Sequence, residues 1–274
     1  MRTDPVTRAG ARALTEALGA EPAGDGTRFS LFTTPNRRCR VRLFDETQTP
    51  SGEHALQAEG SEGYYSATIP GVRAGALYKF VLDDQELPDP YARFLPHGVH
   101  GPARVVSSDH AWRHPGVSRP LSEHIIYELH VGTFTESGTY EAATAQLDHV
   151  LALGATAIEL MPLGAFPGAR GWGYDGVAPF APFAGYGTPD QLRAFVDHAH
   201  GRGLSVFLDV VYNHLGPDGN YLSAYSPDYF SRELKNAWGD APNFGLAEGE
   251  AQIGCPARNS SRIGGPLALK RPHG

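Results

Sequence analysis

Cysteine is nearly absent from this chain: Cys39 and Cys255 are the only two in 274 residues. Two cysteines so far apart supply neither a disulfide framework nor a metal-ligand spacing, and a reducing, cytoplasmic setting suits them best. Long apolar runs are missing too. No stretch is long enough to cross a bilayer, and the first residues, MRTDPVTRAGARALTEALGAEP, lack the apolar core of a signal peptide. Cations are sparse. Net charge is −7, and RRCR at 37–40 is the one short basic run. Nucleic acid is therefore excluded as a partner, because phosphate neutralisation needs clustered Lys and Arg; a membrane is excluded by the missing apolar span. No GxGxxG follows an expected strand, and there is no P-loop and no G-x-S-x-G elbow. His198 and His200 stand two apart on an expected helix, so they do not face together as a metal pair. No cofactor and no metal is expected.

Glycine (33) and proline (22) are plentiful, and 41% of residues are apolar. That composition gives a sizeable core with many turns between short elements. Residues 1–24 have weak periodicity and read as a mobile leader. From 25 to 106 short runs recur at 27–34, 39–45, 54–59, 64–70 and 77–83. Turn formers such as Pro50-Ser51-Gly52 separate them. That spacing predicts a β-sandwich. A proline-rich irregular stretch (87–106) closes this part, and 107–121 reads as a linker.

After Ser122 the pattern alternates. Strand runs at 124–132 and 156–163 flank a helix over 140–153, capped by Thr139 and stopped at Gly154. Thr188-Pro189-Asp190-Gln191 is a capping box with proline at the first helical position. It opens a helix with Leu192, Phe195, Val196 and Ala199 on one side. The third strand run is SVFLDVVYNHLG, 205–216. Repeated βαβ implies parallel strands, in a barrel or in an open doubly wound sheet.

That third run places Asp209 inside an apolar strand, with Asn213 and His214 at its end. In parallel α/β folds such strand ends face the ligand. By strand parity Ser205, Phe207, Asp209, Val211 and Asn213 share one face. A buried Asp must be paired or hydrogen-bonded. Taken singly, Asp209 also fits a structural polar network, and His214 a satisfied loop histidine. Trp172 and Tyr174, in the glycine-flanked GWGYDG (171–176), fit either core packing or a sugar's C–H face.

DVVYNH resembles the first conserved region of the α-amylase superfamily of glycoside hydrolases, and GWGYDG matches the loop after its second strand. YELHVGTFT (127–135) is similar to the first barrel strand of the isoamylase, branching-enzyme and trehalohydrolase branch. The resemblance covers roughly residues 25 to 244. It implies a multi-domain chain, with an immunoglobulin-like β-sandwich of the family 48 type over 25–106. The first three βα units of a (β/α)₈ TIM barrel, incomplete, would occupy 122–244. It further implies that Asp209 orders the active-site floor, Asn213 supports the neighbouring loop, and His214 bonds the sugar. Tyr174, with Trp172 beside it, would lie against the same sugar. The implied substrate is malto-oligosyltrehalose or another α-glucan, cut at the α-1,4 bond next to a terminal trehalose. A branching or debranching enzyme, or a non-catalytic glucan-binding remnant, are the alternatives.

Retaining hydrolysis needs a carboxylate nucleophile and a second carboxyl as acid and base. The family carries them at strands four and five, and neither has a counterpart here. No catalytic residue is therefore assigned, and the chain as given is expected to be inactive. Residues 245–274 contain no Phe, Tyr or Trp, although the preceding 244 contain 28. They are expected to be a disordered tail foreign to the family.

Overall fold

The computed structural model describes residues 18–243 and the backbone of 268–269. The leader before residue 18 and nearly all of the 245–274 tail lie outside the described residues.

The front part holds nine strands: β1 (Gly19–Ala23), β2 (Gly26–Phe32), β3 (Cys39–Phe44), β4 (Pro50–Ala55), β5 (Gln57–Ala58), β6 (Tyr64–Pro70), β7 (Leu77–Leu82), β8 (Gln85–Leu87) and β9 (Ala103–Arg104). They make two antiparallel sheets, ordered β1-β2-β6-β5 and β4-β3-β7-β8, with β9 added beside β7. Alternation selects the buried face. Phe29, Leu31, Tyr65 and Ile69 of the first sheet meet Val41, Phe80 and Leu82 of the second in one core. Phe29 and Tyr78 touch edge to face across it, with ring centroids 5.0 Å apart. On the outer face the basic run is matched by acids: Arg37 to Asp83 (3.0 Å), Arg38 to Asp84 (2.6 Å) and Arg40 to Glu53 (2.7 Å).

Two details depart from expectation. β1 lies within the segment read as leader, because residues 19–23 pair along their whole length with β2. Pro50-Ser51-Gly52 is not a turn but the start of β4, an edge strand, where proline costs no ladder bond.

The back part runs β10 (Ile126–Leu129), α1 (Val131–Phe134), α2 (Tyr140–Ala145), α3 (Leu147–Ala152), β11 (Ala157–Leu160), β12 (Gly164–Ala165), β13 (Ala178–Pro182), α4 (Pro189–Gly201), β14 (Ser205–Leu208), α5 (Leu222–Tyr225), β15 (Phe230–Asn236), β16 (Gly239–Pro242) and β17 (Ala268–Leu269). β10, β11 and β14 are parallel and adjacent in that order, and β17 pairs with β14 over two residues. The helix expected over 140–153 is broken at Gln146, which leaves helical geometry (φ −99°, ψ 7°). α4 starts as its sequence dictates. Thr188 accepts from the Gln191 amide, Gln191 answers the Thr188 amide, and Pro189 opens the first turn. Its Leu192, Phe195, Val196 and Ala199 pack under Ile158, Leu160, Val206 and Leu208 of the sheet. Each of these Leu, Ile, Val and Phe side chains contributes about 1.5–3 kcal/mol when fully buried.

The segment read as a linker is fastened to α4. The backbone amides of Arg113 and His114 donate to Asp197 Oδ1 (3.0 and 2.9 Å), and the Arg113 Nε donates to Oδ2 (2.8 Å). Burial pushes the Asp197 carboxyl up, but these donors outweigh it and hold the pKa at about 2. The front and back parts also share one core, in which Tyr91 stacks on Phe180 (5.6 Å) and Phe32 meets Tyr229 edge-on. Thr33 Oγ1 donates to the Tyr225 carbonyl (2.6 Å), and the Tyr225 hydroxyl donates back to the Pro88 carbonyl (2.9 Å).

Candidate functional site

Strand polarity locates the site. β10, β11 and β14 all end toward the loops that carry His130, GWGYDG and the DVVYNH sequence. One sheet face is buried against the helices. Register places Glu128 beside Glu159, and Glu159 beside Phe207, on the other face. Asp209 follows one residue past β14, its amide still donating to the Leu160 carbonyl (2.9 Å). Three carboxylates therefore collect on one face at the strand ends. Glu128 and Glu159 were not singled out from the sequence. The signal was available, since each interrupts an apolar run as Asp209 does.

The loop after β11 folds back over these groups. The Tyr174 hydroxyl donates to Asp209 Oδ2 at 3.2 Å. Partial burial pushes the Tyr174 phenol up, and the neighbouring Asp209, Glu128 and Glu159 carboxylates add to the rise in that order. Such a phenol stays protonated at neutral pH and keeps its role as donor. The loop needs Gly173: its φ is +89°, and a Cβ there would lie 2.1 Å from the Pro162 carbonyl oxygen. Trp172 is 70% exposed and Tyr174 43%, against an interior in which most aromatics are buried. Two exposed rings on one loop, one of them bonded to a carboxylate, match what a sugar presents, an apolar C–H face edged by hydroxyls.

Asp209 lines an open cleft with Pro162, Gly173, Val211 and Tyr212. His214 does not join it. It is buried and lines a second cleft with Tyr91, Phe180, Tyr212, Tyr229 and Pro242, beneath the front part. Its Nδ1 donates to the Asn213 side-chain oxygen (3.0 Å), and Asn213 is exposed. Of the expected single face from Ser205 to Asn213, Asp209 and Val211 share this cleft and Asn213 does not line it. Strand parity holds only while the ladder lasts, and β14 stops at Leu208. Tyr174 and Asp209 come together, and His214 lies across the wall of Val211, Tyr212 and Leu215 that the two clefts share.

Among the described residues no three His, Cys, Asp or Glu side chains are grouped to hold a metal ion. No helix among them is long and apolar enough to cross a membrane. Cys39 is a free thiol in the sandwich core, and burial pushes its pKa up to about 12, so it is inert as a nucleophile.

The family "Alpha amylase, catalytic domain" matches residues 105–243, and "Carbohydrate-binding module 48 (Isoamylase N-terminal domain)" matches residues 17–92. The chain is 50% identical over 242 residues to the malto-oligosyltrehalose trehalohydrolase of Deinococcus radiodurans, covering 86% of this chain and 37% of that protein. It is 42% identical over 222 residues to the enzyme of the same name from Saccharolobus solfataricus, covering 80% and 38%. The crystal structure of a putative α-amylase from Salmonella typhimurium superposes with a TM-score of 0.83 at 39% identity, covering 90% of this chain and 42% of that one. The chain thus spans less than two fifths of the length of these two curated relatives.

Proposed function

This chain belongs to the α-amylase catalytic-domain family, and from that premise we propose that it forms the substrate-positioning side of an α-glucan hydrolase cleft. The front part is an immunoglobulin-like module, and the back part supplies the first three βα units of a (β/α)₈ barrel. The whole enzyme would be of the malto-oligosyltrehalose trehalohydrolase kind, a reading supported by 50% identity to a protein of that name. It would release trehalose by cutting the adjacent α-1,4 bond. The observation that carries the reading is the Tyr174–Asp209 bond at the ends of two adjacent parallel strands, made by a loop that also exposes the Trp172 indole.

In this role Trp172 and Tyr174 pack on the C–H face of a glucose ring, and Asp209 accepts from a ring hydroxyl or holds the Tyr174 hydroxyl toward it. Glu128 and Glu159 add negative potential below, favouring the positive charge that develops in an oxocarbenium-like transition state. His214 serves from the adjoining cleft, on its own wall of Tyr212. Bond cleavage also requires a nucleophile and an acid/base carboxyl facing each other across the sugar. None of the described carboxylates is assigned either role. The 274-residue polypeptide alone therefore binds α-glucan without cutting it. Titration with maltoheptaose and incubation with maltotriosyltrehalose test both halves. Saturable binding with no trehalose release is expected. Trehalose released by the purified chain would sink the inactivity, and no binding would sink the site.

A further inference from the structure

One side chain joins three elements at the rim of this cleft. His130 follows β10 directly. Its Nε2 lies 2.9 Å from the Gly171 carbonyl oxygen and 2.9 Å from the Tyr186 hydroxyl. Its Nδ1 lies 3.2 Å from Thr133 Oγ1. A carbonyl oxygen only accepts, so Nε2 carries a proton and donates to it. The Tyr186 hydroxyl donates to the same Gly171 carbonyl at 3.4 Å. Imidazole and phenol thus share one carbonyl oxygen.

The surroundings fix this arrangement. Tyr186 is buried and meets Phe183 and Tyr140 edge-on, at 5.0 and 6.1 Å. The imidazole stands at 89° to the Tyr186 ring and lies 5.9 Å from the Trp172 indole. The approach is possible only because residue 132 is glycine. A Cβ there would come within 2.9 Å of the Tyr186 ring and 3.0 Å of His130 Cε1. On the loop side, a Cβ at Gly171 would fall 2.8 Å from the Phe166 ring, which itself stacks on Phe183 (4.1 Å).

We propose that His130 is a positioning residue of the glucan cleft. Its imidazole ties the end of β10 to the loop after β11. It thereby sets the plane of the Trp172 indole and the place where the Tyr174 hydroxyl meets Asp209. The proposal rests on the glucan reading for its ligand, an α-1,4-linked glucose chain, but the tie itself is measurable without one.

The test uses the full chain and the variants His130→Ala, His130→Gln and Tyr186→Phe. Amide hydrogen exchange is followed in peptides covering 168–176, and maltoheptaose affinity is measured alongside. His130→Ala is expected to speed exchange in that loop about tenfold, the loss of one buried tie, while α4 and β6 stay protected. It is expected to weaken maltoheptaose by a similar factor. His130→Gln keeps an N–H donor near the Gly171 carbonyl and should restore most of both; Tyr186→Phe should give a smaller effect of the same pattern. Should His130→Ala fail to fold, the Gln and Phe variants carry the comparison. Unchanged loop exchange in His130→Ala overturns the proposal. So does a loss of protection spread over the whole chain that His130→Gln does not recover, which marks a general folding role. If the unaltered chain binds no maltoheptaose, the glucan reading falls, and the exchange result alone decides whether His130 holds the loop.

Discussion

Asp209 was legible from the sequence because a carboxylate inside an apolar strand run demands a partner, and Tyr174 is that partner. Glu128 and Glu159 carry the same signal, but their apolar runs were read only as strands. Asn213 marks the limit of parity, since it stands past Leu208, the last ladder residue of β14. Two outcomes follow at this scale. In a double-mutant cycle on maltoheptaose binding, Tyr174→Phe and Asp209→Asn should be non-additive by about 0.5–1.5 kcal/mol, the net worth of one hydrogen bond; additive losses would separate the two groups. Asp209→Asn should also lower the Tyr174 pKa, because it removes the largest of the charges that raise it. Titration of ring-labelled tyrosine by NMR reads this directly.

Asp89 supplies a pH signature. It is fully buried, accepts from the Tyr78 hydroxyl (2.5 Å) and the Tyr91 amide (2.8 Å), and its pKa is pushed to about 6, chiefly by burial. Folded Asp89 therefore holds its proton more tightly than the unfolded chain does. Its contribution is fully present below the unfolded value near 4 and is lost as pH rises through about 6. The difference amounts to about 3 kcal/mol. Asp89→Asn cannot ionise. Relative to the unaltered chain it should be least stable at pH 4 and improve steadily to pH 7, as urea denaturation at each pH will read. A constant difference across that range would show that Asp89 does not titrate there.

Among the elements, α4 was the most legible, because capping box, N1 proline and apolar stripe agree with one another. Thr188→Ala removes the side-chain acceptor for the Gln191 amide and should cost about 1 kcal/mol. The expected observation is a lower urea midpoint with unchanged slope; no shift would mean that the cap is redundant with packing. Less legible were the short pairs β12–β13 and β15–β16. β12, β13 and β16 are short and rich in proline or glycine, so none shows a strand period, and only pairing makes them strands. β1 was lost for a similar reason. Its GAEPA sequence has no strand period, and pairing with β2 alone makes it a strand.

For the whole molecule, the sequence divides into a front part, a linker and a back part, because composition shows where patterns change but not what packs across the change. The shared core is what packs there. Tyr225 belongs to the back part, is fully buried and bonds the Pro88 carbonyl of the front part. Tyr225→Ala should cost about 3–5 kcal/mol, as for other large aromatic truncations. In calorimetry, the single transition expected of the unaltered chain should divide into two. Retention of one transition with a loss below about 1 kcal/mol would mean that the interface contributes little.

The interlocking of Tyr91 with Phe180, and of Phe32 with Tyr229, also bears on how such chains can be recombined. A module joined only by a tether can be exchanged like a cartridge. This one cannot, because its core is completed by side chains from residues 178–182 and 222–229 of its neighbour. A chimera that moves residues 17–92 onto another catalytic domain without those two stretches should expose bare aromatic rings and precipitate, whereas grafting all three segments together should yield a soluble hybrid.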